Sequence, residues 1–156
     1  MSYERAVAFL IERGVGVAGH SSRSLLRHLE GIYNLLRSWK STADVCYGGL
    51  FHSIYGTNFY LQECVGLKER PAVRSVVGRR AERLAYLYCV TDFRFMLHEF
   101  SAEAIPSSRP DAAPNSLKVN VLTRLGLLEI ALANLLEQVP YIDPELDFGH
   151  FGPRLC

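Results

Sequence analysis

The central segment, Tyr47–Thr57, most constrains the fold, because an almost wholly apolar run ends in His52 and is then broken by Gly56. Residues over about 42–55 predict a helix that is apolar on all sides, which is typical of a helix inside a domain. His52 would then lie buried near the C-terminal end of that helix. A buried imidazole needs a hydrogen-bond partner or a metal ion, so other parts of the chain must supply one.

Composition predicts one ordinary globular domain. The chain has 156 residues, of which 49% are hydrophobic and 21% charged, and we expect residues 1–156 to form a single domain with a real core. The formal net charge of +1 predicts no general attraction to nucleic acid or to acidic membranes. We expect no membrane span, because no apolar run approaches the roughly 20 residues needed, and the first residues predict neither a secretory nor a transit signal. Its four cysteines form no CxxC pair, which favours free thiols in the reducing cytoplasm.

Apolar periodicity predicts helices along most of the chain. Besides the central helix, the predicted helices are Tyr3–Arg13, a helix from Ser21 or Ser22 to Trp39, Pro71–Val77, a helix from Arg79 to about His98, and Leu117–Glu137. An internal loop is predicted over 105–116 and an irregular tail over 140–156. No strand is predicted. The expected class is therefore all-α, a compact helical bundle.

Three polar residues fall on or beside apolar faces of three predicted helices: His28, His52 and Asp92. A carboxylate alone in a core is costly, so Asp92 should have a cationic or hydrogen-bonding partner. Two imidazoles and a carboxylate suit Zn, Mn or Fe, and packed helices can bring all three to one ion. The alternative is a structural polar cluster, in which His52 is a core histidine bonded to a backbone carbonyl or to Asp92, and Arg23 or Arg27 pairs with Asp92.

The order of these residues resembles the HD phosphohydrolase superfamily. The segments that carry the resemblance are His28-Leu29-Glu30-Gly31-Ile32, Gly49-Leu50-Phe51-His52-Ser53-Ile54 and Val90-Thr91-Asp92-Phe93. The span also resembles the hydrolase half of the alarmone enzymes, and His-Ser-Ile-Tyr-Gly-Thr is similar to a small family of stand-alone HD-like domains. The resemblance implies an HD-like bundle and a metal-dependent hydrolase. It implies His28, His52 and Asp92 as metal ligands, with His20, Ser53 and Tyr55 orienting water or substrate.

The sequence departs from that superfamily directly after its second histidine. Ser53 stands where the family has an aspartate, and Gly56 and Thr57 stand where the alarmone hydrolases have an acidic pair. Loss of a carboxylate ligand should weaken binding of a divalent ion, unless His20 supplies a replacement nitrogen. The alternative function is therefore a catalytically degenerate, metal-free HD fold that binds a small ligand or a protein partner.

Thr57, Arg79 and Arg83 are the predicted substrate-binding residues. Thr57 would lie at the mouth of the pocket, and the two arginines share a helix face from which they could bind a phosphoryl group. The alternative is an ordinary solvated face. No aromatic residues alternate with these arginines, so nucleic acid is not an expected partner. The expected partner is a small-molecule substrate, phosphorylated if these arginines bind it, and neither a membrane nor a particular oligomeric state is indicated.

Overall fold

The computed structural model describes residues 1–16, 19–20, 23–57, 63–91, 98, 104–109 and 115–141. The helices in these ranges are α1 (Tyr3–Glu12), α2 (Leu25–Ser38), α3 (Ala43–Leu50), α4 (Arg70–Val77), α5 (Arg79–Val90) and α6 (Val121–Gln138). Short 3₁₀ turns cover Leu67–Glu69 and Val139–Tyr141. The predicted mainly α-helical class is confirmed. None of the helices in the described ranges is long and apolar enough to cross a membrane.

Two short antiparallel strand pairs correct the prediction that the chain has no strands. β1 (Gly19–His20) pairs with β2 (Arg23–Ser24), and β3 (Ala104–Pro106) pairs with β4 (Ser116–Lys118). The second pair therefore involves both ends of the predicted 105–116 loop, and Ile105 within it is fully buried. Strands of two or three residues are too short to show a period in the sequence, which explains the error.

The two helices predicted to carry His52 and Asp92 are shorter than expected. α3 ends at Leu50, and the backbone N–H of His52 then donates to the carbonyl of Gly49 in a tight turn. α5 ends at Val90, because Thr91 is extended and forms a bridge to Ser107. The predicted continuation to His98 is therefore wrong at Thr91. Asp92 lies outside the described residues, as does the tail from 142 onward.

α3 lies at the centre of the fold, in contact with α2, α5 and α6. Its residues from Val45 to Leu50 are all buried. Two glycines make this packing possible: a Cβ on Gly48 would lie 2.9 Å from Leu84 Cβ, and one on Gly49 would lie 3.0 Å from Ile32 Cγ2. Only a helix face without side chains fits there, since protein interiors leave no room for an added methyl group. The turn that follows α3 is thereby held inside the bundle.

Candidate functional site

The structure brings His28 and His52 together in the core. His28 comes from α2 and His52 from the turn after α3, and the two residues are 1% and 3% exposed respectively. Their ring centroids lie 5.3 Å apart with the rings edge to face. Asp92, the third predicted ligand, falls outside the described residues. Two of the three residues predicted to converge therefore lie side by side.

Each imidazole is fixed through its Nδ1 atom. His52 Nδ1 lies 2.9 Å from the carbonyl oxygen of Gly49, which can only accept, so Nδ1 carries the proton and donates it. His28 Nδ1 lies 2.5 Å from Glu137 Oε2, where it donates to the buried carboxylate. Hydrogen bonds of this kind at one ring nitrogen orient metal-binding histidines, which then coordinate through the other nitrogen. An ion at this site would accordingly be bound through Nε2 of both rings.

Glu137 is the site residue that the sequence interpretation missed. It lies in the last turn of α6, is only 9% exposed, and faces α2 across the core. The sequence does contain a signal for it: Glu137 is seven residues beyond the apolar Ile130, so the two residues lie on the same helix face. The reasoning applied to Asp92, that a carboxylate on an apolar face needs a partner, would have identified it.

Gly31 makes room for that carboxylate. A Cβ at this position would lie 2.5 Å from Glu137 Oε1 and 2.8 Å from its Cγ. In an ordinary helix interior Gly→Ala stabilises by roughly 0.5–1 kcal/mol, but we expect Gly31→Ala to lower the free energy of unfolding by about 1–3 kcal/mol through overpacking. Urea unfolding measures the change. In a Glu137→Ala background the same substitution should become neutral or stabilising; an equal loss in both backgrounds would contradict the assignment.

Two further groups contact His52 without taking part in the His28–Glu137 pair. Ser53, itself 2% exposed, has its hydroxyl oxygen 3.3 Å from His52 Nε2 and can donate to it. The Cys89 thiol donates to the His52 carbonyl oxygen at 2.9 Å, and burial raises the pKa of that thiol to about 12. Cys89 thus remains a neutral thiol, which is unsuited to act as a nucleophile. The Cys89 contact places the end of α5 directly against the turn after α3 that carries His52, hereafter the histidine turn.

Tyr55 belongs to a second buried cluster, centred on Glu82. The Glu82 carboxylate is fully buried. It accepts hydrogen bonds from Arg70 Nε at 2.5 Å, from Arg74 Nε at 2.7 Å and from the Tyr55 hydroxyl at 3.2 Å. Burial, followed by the negative charge of Glu82, raises the pKa of Tyr55, so the phenol stays protonated and donates. Glu82 therefore pairs with the arginines of α4 and not with Arg79 or Arg83 of its own helix. The catalytic role of Tyr55 stays a prediction.

The remaining predicted site residues lie outside these two clusters. Arg79 and Arg83 are exposed on α5, where Arg83 Nη2 reaches the carbonyl of Lys118 at 3.5 Å. Thr57 is half-buried at the end of the histidine turn. The backbone of His20 pairs with Arg23 across the β1–β2 ladder, which packs against α2. Their predicted roles are neither supported nor opposed by these positions.

No group of three His, Cys, Asp or Glu side chains suited to a metal ion occurs within the described ranges, which exclude Asp92. A surface cleft of about 430 Å³ lies elsewhere, at the C-terminal end of α2. It is lined by residues that include Tyr33, Arg37, Lys40 and Tyr47, and by neither histidine of the pair.

Comparison with curated proteins and with solved structures gives no match to this chain. A family profile does match: the Domain of unknown function (DUF6817), over residues 9–93. That range contains His28, His52 and Glu82, and ends just beyond α5. Because the match covers more than half of the sequence, the chain belongs to the DUF6817 family.

Proposed function

We propose that this protein is an HD-like, metal-dependent hydrolase that acts on a small phosphorylated substrate. The observation that carries the proposal is the fixing of both buried histidines through Nδ1, by Glu137 and by the Gly49 carbonyl. A merely structural histidine needs a partner, but a matched pair oriented in this way is the arrangement that metal-binding imidazoles require. The cytoplasm is the proposed location, since Cys46 and Cys89 are buried free thiols.

The residues present fit a divalent ion. The ring centroids of His28 and His52 are 5.3 Å apart, which lies within the ~4.5–7 Å of ordinary packed ring pairs and is also compatible with one ion bound by both rings at about 2.1 Å per nitrogen. Asp92 is the proposed third ligand. It lies three residues beyond Cys89, whose thiol contacts the His52 backbone, so a short stretch of chain separates it from the pair. A bound ion of this kind lowers the pKa of water toward neutrality and polarises a phosphoryl oxygen.

The protein's own residues would orient the two imidazoles and bind the substrate. Glu137 and the Gly49 carbonyl hold the two rings in place, and the hydroxyl of Ser53 lies at His52 Nε2, where it can turn toward a water or a substrate oxygen. Arg79 and Arg83 are exposed cations on α5 and supply the proposed phosphoryl contacts. His20, Tyr55 and Thr57 stay as proposed positioning residues.

One observation favours a second candidate, a metal-free HD-like fold that binds a small ligand or a protein partner. The Ser53 hydroxyl already donates toward His52 Nε2, and the His28–Glu137 pair is satisfied within the core. In that case the cluster would tie α2, α3 and α6 together. The two candidates differ in whether the folded protein binds metal.

The test is metal binding by the purified 156-residue protein and by Ser53→Asp, which restores a carboxylate beside His52. Elemental analysis is made on the freshly purified proteins. Thermal melts are then recorded in chelator and with Mn, Fe(II) or Zn. We expect metal to raise the melting temperature of both proteins, more so for Ser53→Asp, because binding to the folded state stabilises it. In chelator Ser53→Asp should be the less stable, since the core then holds a further carboxylate.

Two single-histidine variants serve as a matched pair in these melts. His52→Gln should abolish the metal response, whereas His98→Gln should keep it, because His98 is exposed. Absence of any metal response in wild type and Ser53→Asp would reject the hydrolase proposal and favour the metal-free alternative. A response that survives His52→Gln would place the ion elsewhere.

A further inference from the structure

The outward half of α6 is apolar along its entire length. At 100° per residue one half of the helix, with the first residue of the 3₁₀ turn that follows it, carries eight apolar residues and one polar residue, Glu129. The apolar residues are Val121, Leu122, Leu125, Leu128, Leu132, Leu135, Leu136 and Val139. All except Leu128 are between 44% and 81% exposed. The exposed face of a helix in a monomeric protein is normally polar, so this face needs a partner.

The opposite half of α6 is already buried against the bundle. It includes Gly126, Leu127, Ile130 and Ala133, which pack against the core, and Glu137, which pairs with His28. Apolar residues therefore lie on both halves of α6, and within the described part of the chain only the inner half is covered. The single polar residue of the outward half does not interrupt the face, because the Glu129 carboxylate accepts the Ser41 hydroxyl at 2.5 Å on the neighbouring segment.

The spacing of the outward residues identifies the kind of partner. Positions 122, 125, 129, 132, 136 and 139 alternate steps of three and four, which is the spacing of a coiled-coil seam; five of the six are Leu or Val, and the sixth is Glu129. Such a seam is complementary to another helix with the same seam. Helices α1 to α5 direct their apolar stripes into the core, which leaves α6 itself as the matching helix within the described residues. We propose that two copies of this protein associate through α6 against α6.

The area available agrees with that partner. From their exposed fractions, the seven apolar side chains present at most about 650 Å² per copy, so polar residues beside them must complete the roughly 800 Å² per partner of a standard stable interface. A two-fold axis would place the same residues of both copies opposite one another, which is how symmetric dimers are built. The His28–Glu137 pair lies on the other side of α6 and would be unaffected in its contacts.

Sedimentation equilibrium of the 156-residue protein tests the proposal. Wild type should sediment as a dimer of twice its 17.5 kDa mass at micromolar concentration. Leu132→Glu/Leu136→Glu should sediment as a folded monomer, with the dimer dissociation constant raised by about 100-fold or more, because a charge buried in an apolar interface is costly. Leu122→Glu is a second variant at the most exposed position, 81%, where a monomer should tolerate the change.

Ile11→Glu is the matched control, because Ile11 is a similarly exposed apolar residue, 54%, that lies on α1. This variant should remain a dimer. A wild type that is monomeric throughout the accessible concentration range would overturn the proposal and would point to another cover for the face, such as the segment 142–156. A dimer that persists in both Leu132→Glu/Leu136→Glu and Leu122→Glu would also overturn it.

Discussion

Glu82→Ala is expected to lower the free energy of unfolding by about 2–3 kcal/mol, because the buried Tyr55 hydroxyl and two arginines lose their shared charged acceptor. The Glu82 carboxylate is 0% exposed and accepts hydrogen bonds from Arg70, Arg74 and Tyr55. The Arg70 side chain is 22% exposed and that of Arg74 is 40% exposed, and the Arg70 guanidinium lies 3.5 Å from the ring centroid of Tyr86. Removing the carboxylate leaves two cations facing each other without their shared anion.

Urea unfolding of three variants measures that effect. Glu82→Gln retains an acceptor oxygen but loses the charge, so its loss should be smaller than that of Glu82→Ala. Glu69→Ala is the matched control, since Glu69 also pairs with an arginine, Arg13, but on the surface. Exposed ion pairs contribute little, and this variant should stay close to wild type. Similar small losses for Glu82→Ala and Glu69→Ala would mean that the buried cluster does not stabilise the fold.

Glu137→Ala is expected to lower the free energy of unfolding by about 3 kcal/mol. It leaves the buried His28 Nδ1 group without its acceptor and opens a cavity beside Gly31. Glu137→Gln can still accept through its amide oxygen and should lose less. Glu129→Ala provides the control within α6, since Glu129 lies at the edge of the bundle and accepts from the Ser41 hydroxyl. Chemical denaturation at neutral pH gives the three values. A loss from Glu129→Ala equal to that from Glu137→Ala would contradict a special role for the buried pair.

Local periodicity is sufficient to predict most of the helices. The stripe Leu25, Leu29, Ile32 and Leu36 is fully buried in α2, and α4 ends at Gly78, as its sequence predicts. Signals of this kind lie within a few neighbouring residues and depend on no distant contact. The same holds for burial of His52, which follows from the apolar residues on every side of α3.

The ends of α3 and α5 cannot be predicted in this way. α5 stops because Thr91 pairs with Ser107, and the turn after α3 is held by the Cys89 thiol and by Arg109, which donates to the Tyr55 carbonyl at 2.7 Å. Those partners are distant in sequence. The position of Glu82 escapes prediction for a related reason: its neighbours along the chain are arginines on the exposed face, whereas the arginines that it pairs with come from α4.

The bond between His28 and Glu137 joins residues 109 positions apart. Contacts of such long separation form late, because the intervening chain must first be closed into a loop at an entropic cost. During synthesis, α2 and α3 emerge well before α6, so a nascent chain holds His28 without its carboxylate until α6 docks. The order of translation therefore leaves His28 without the Glu137 carboxylate while helices α1 to α5 are already made, and the site is complete only once α6 has joined them.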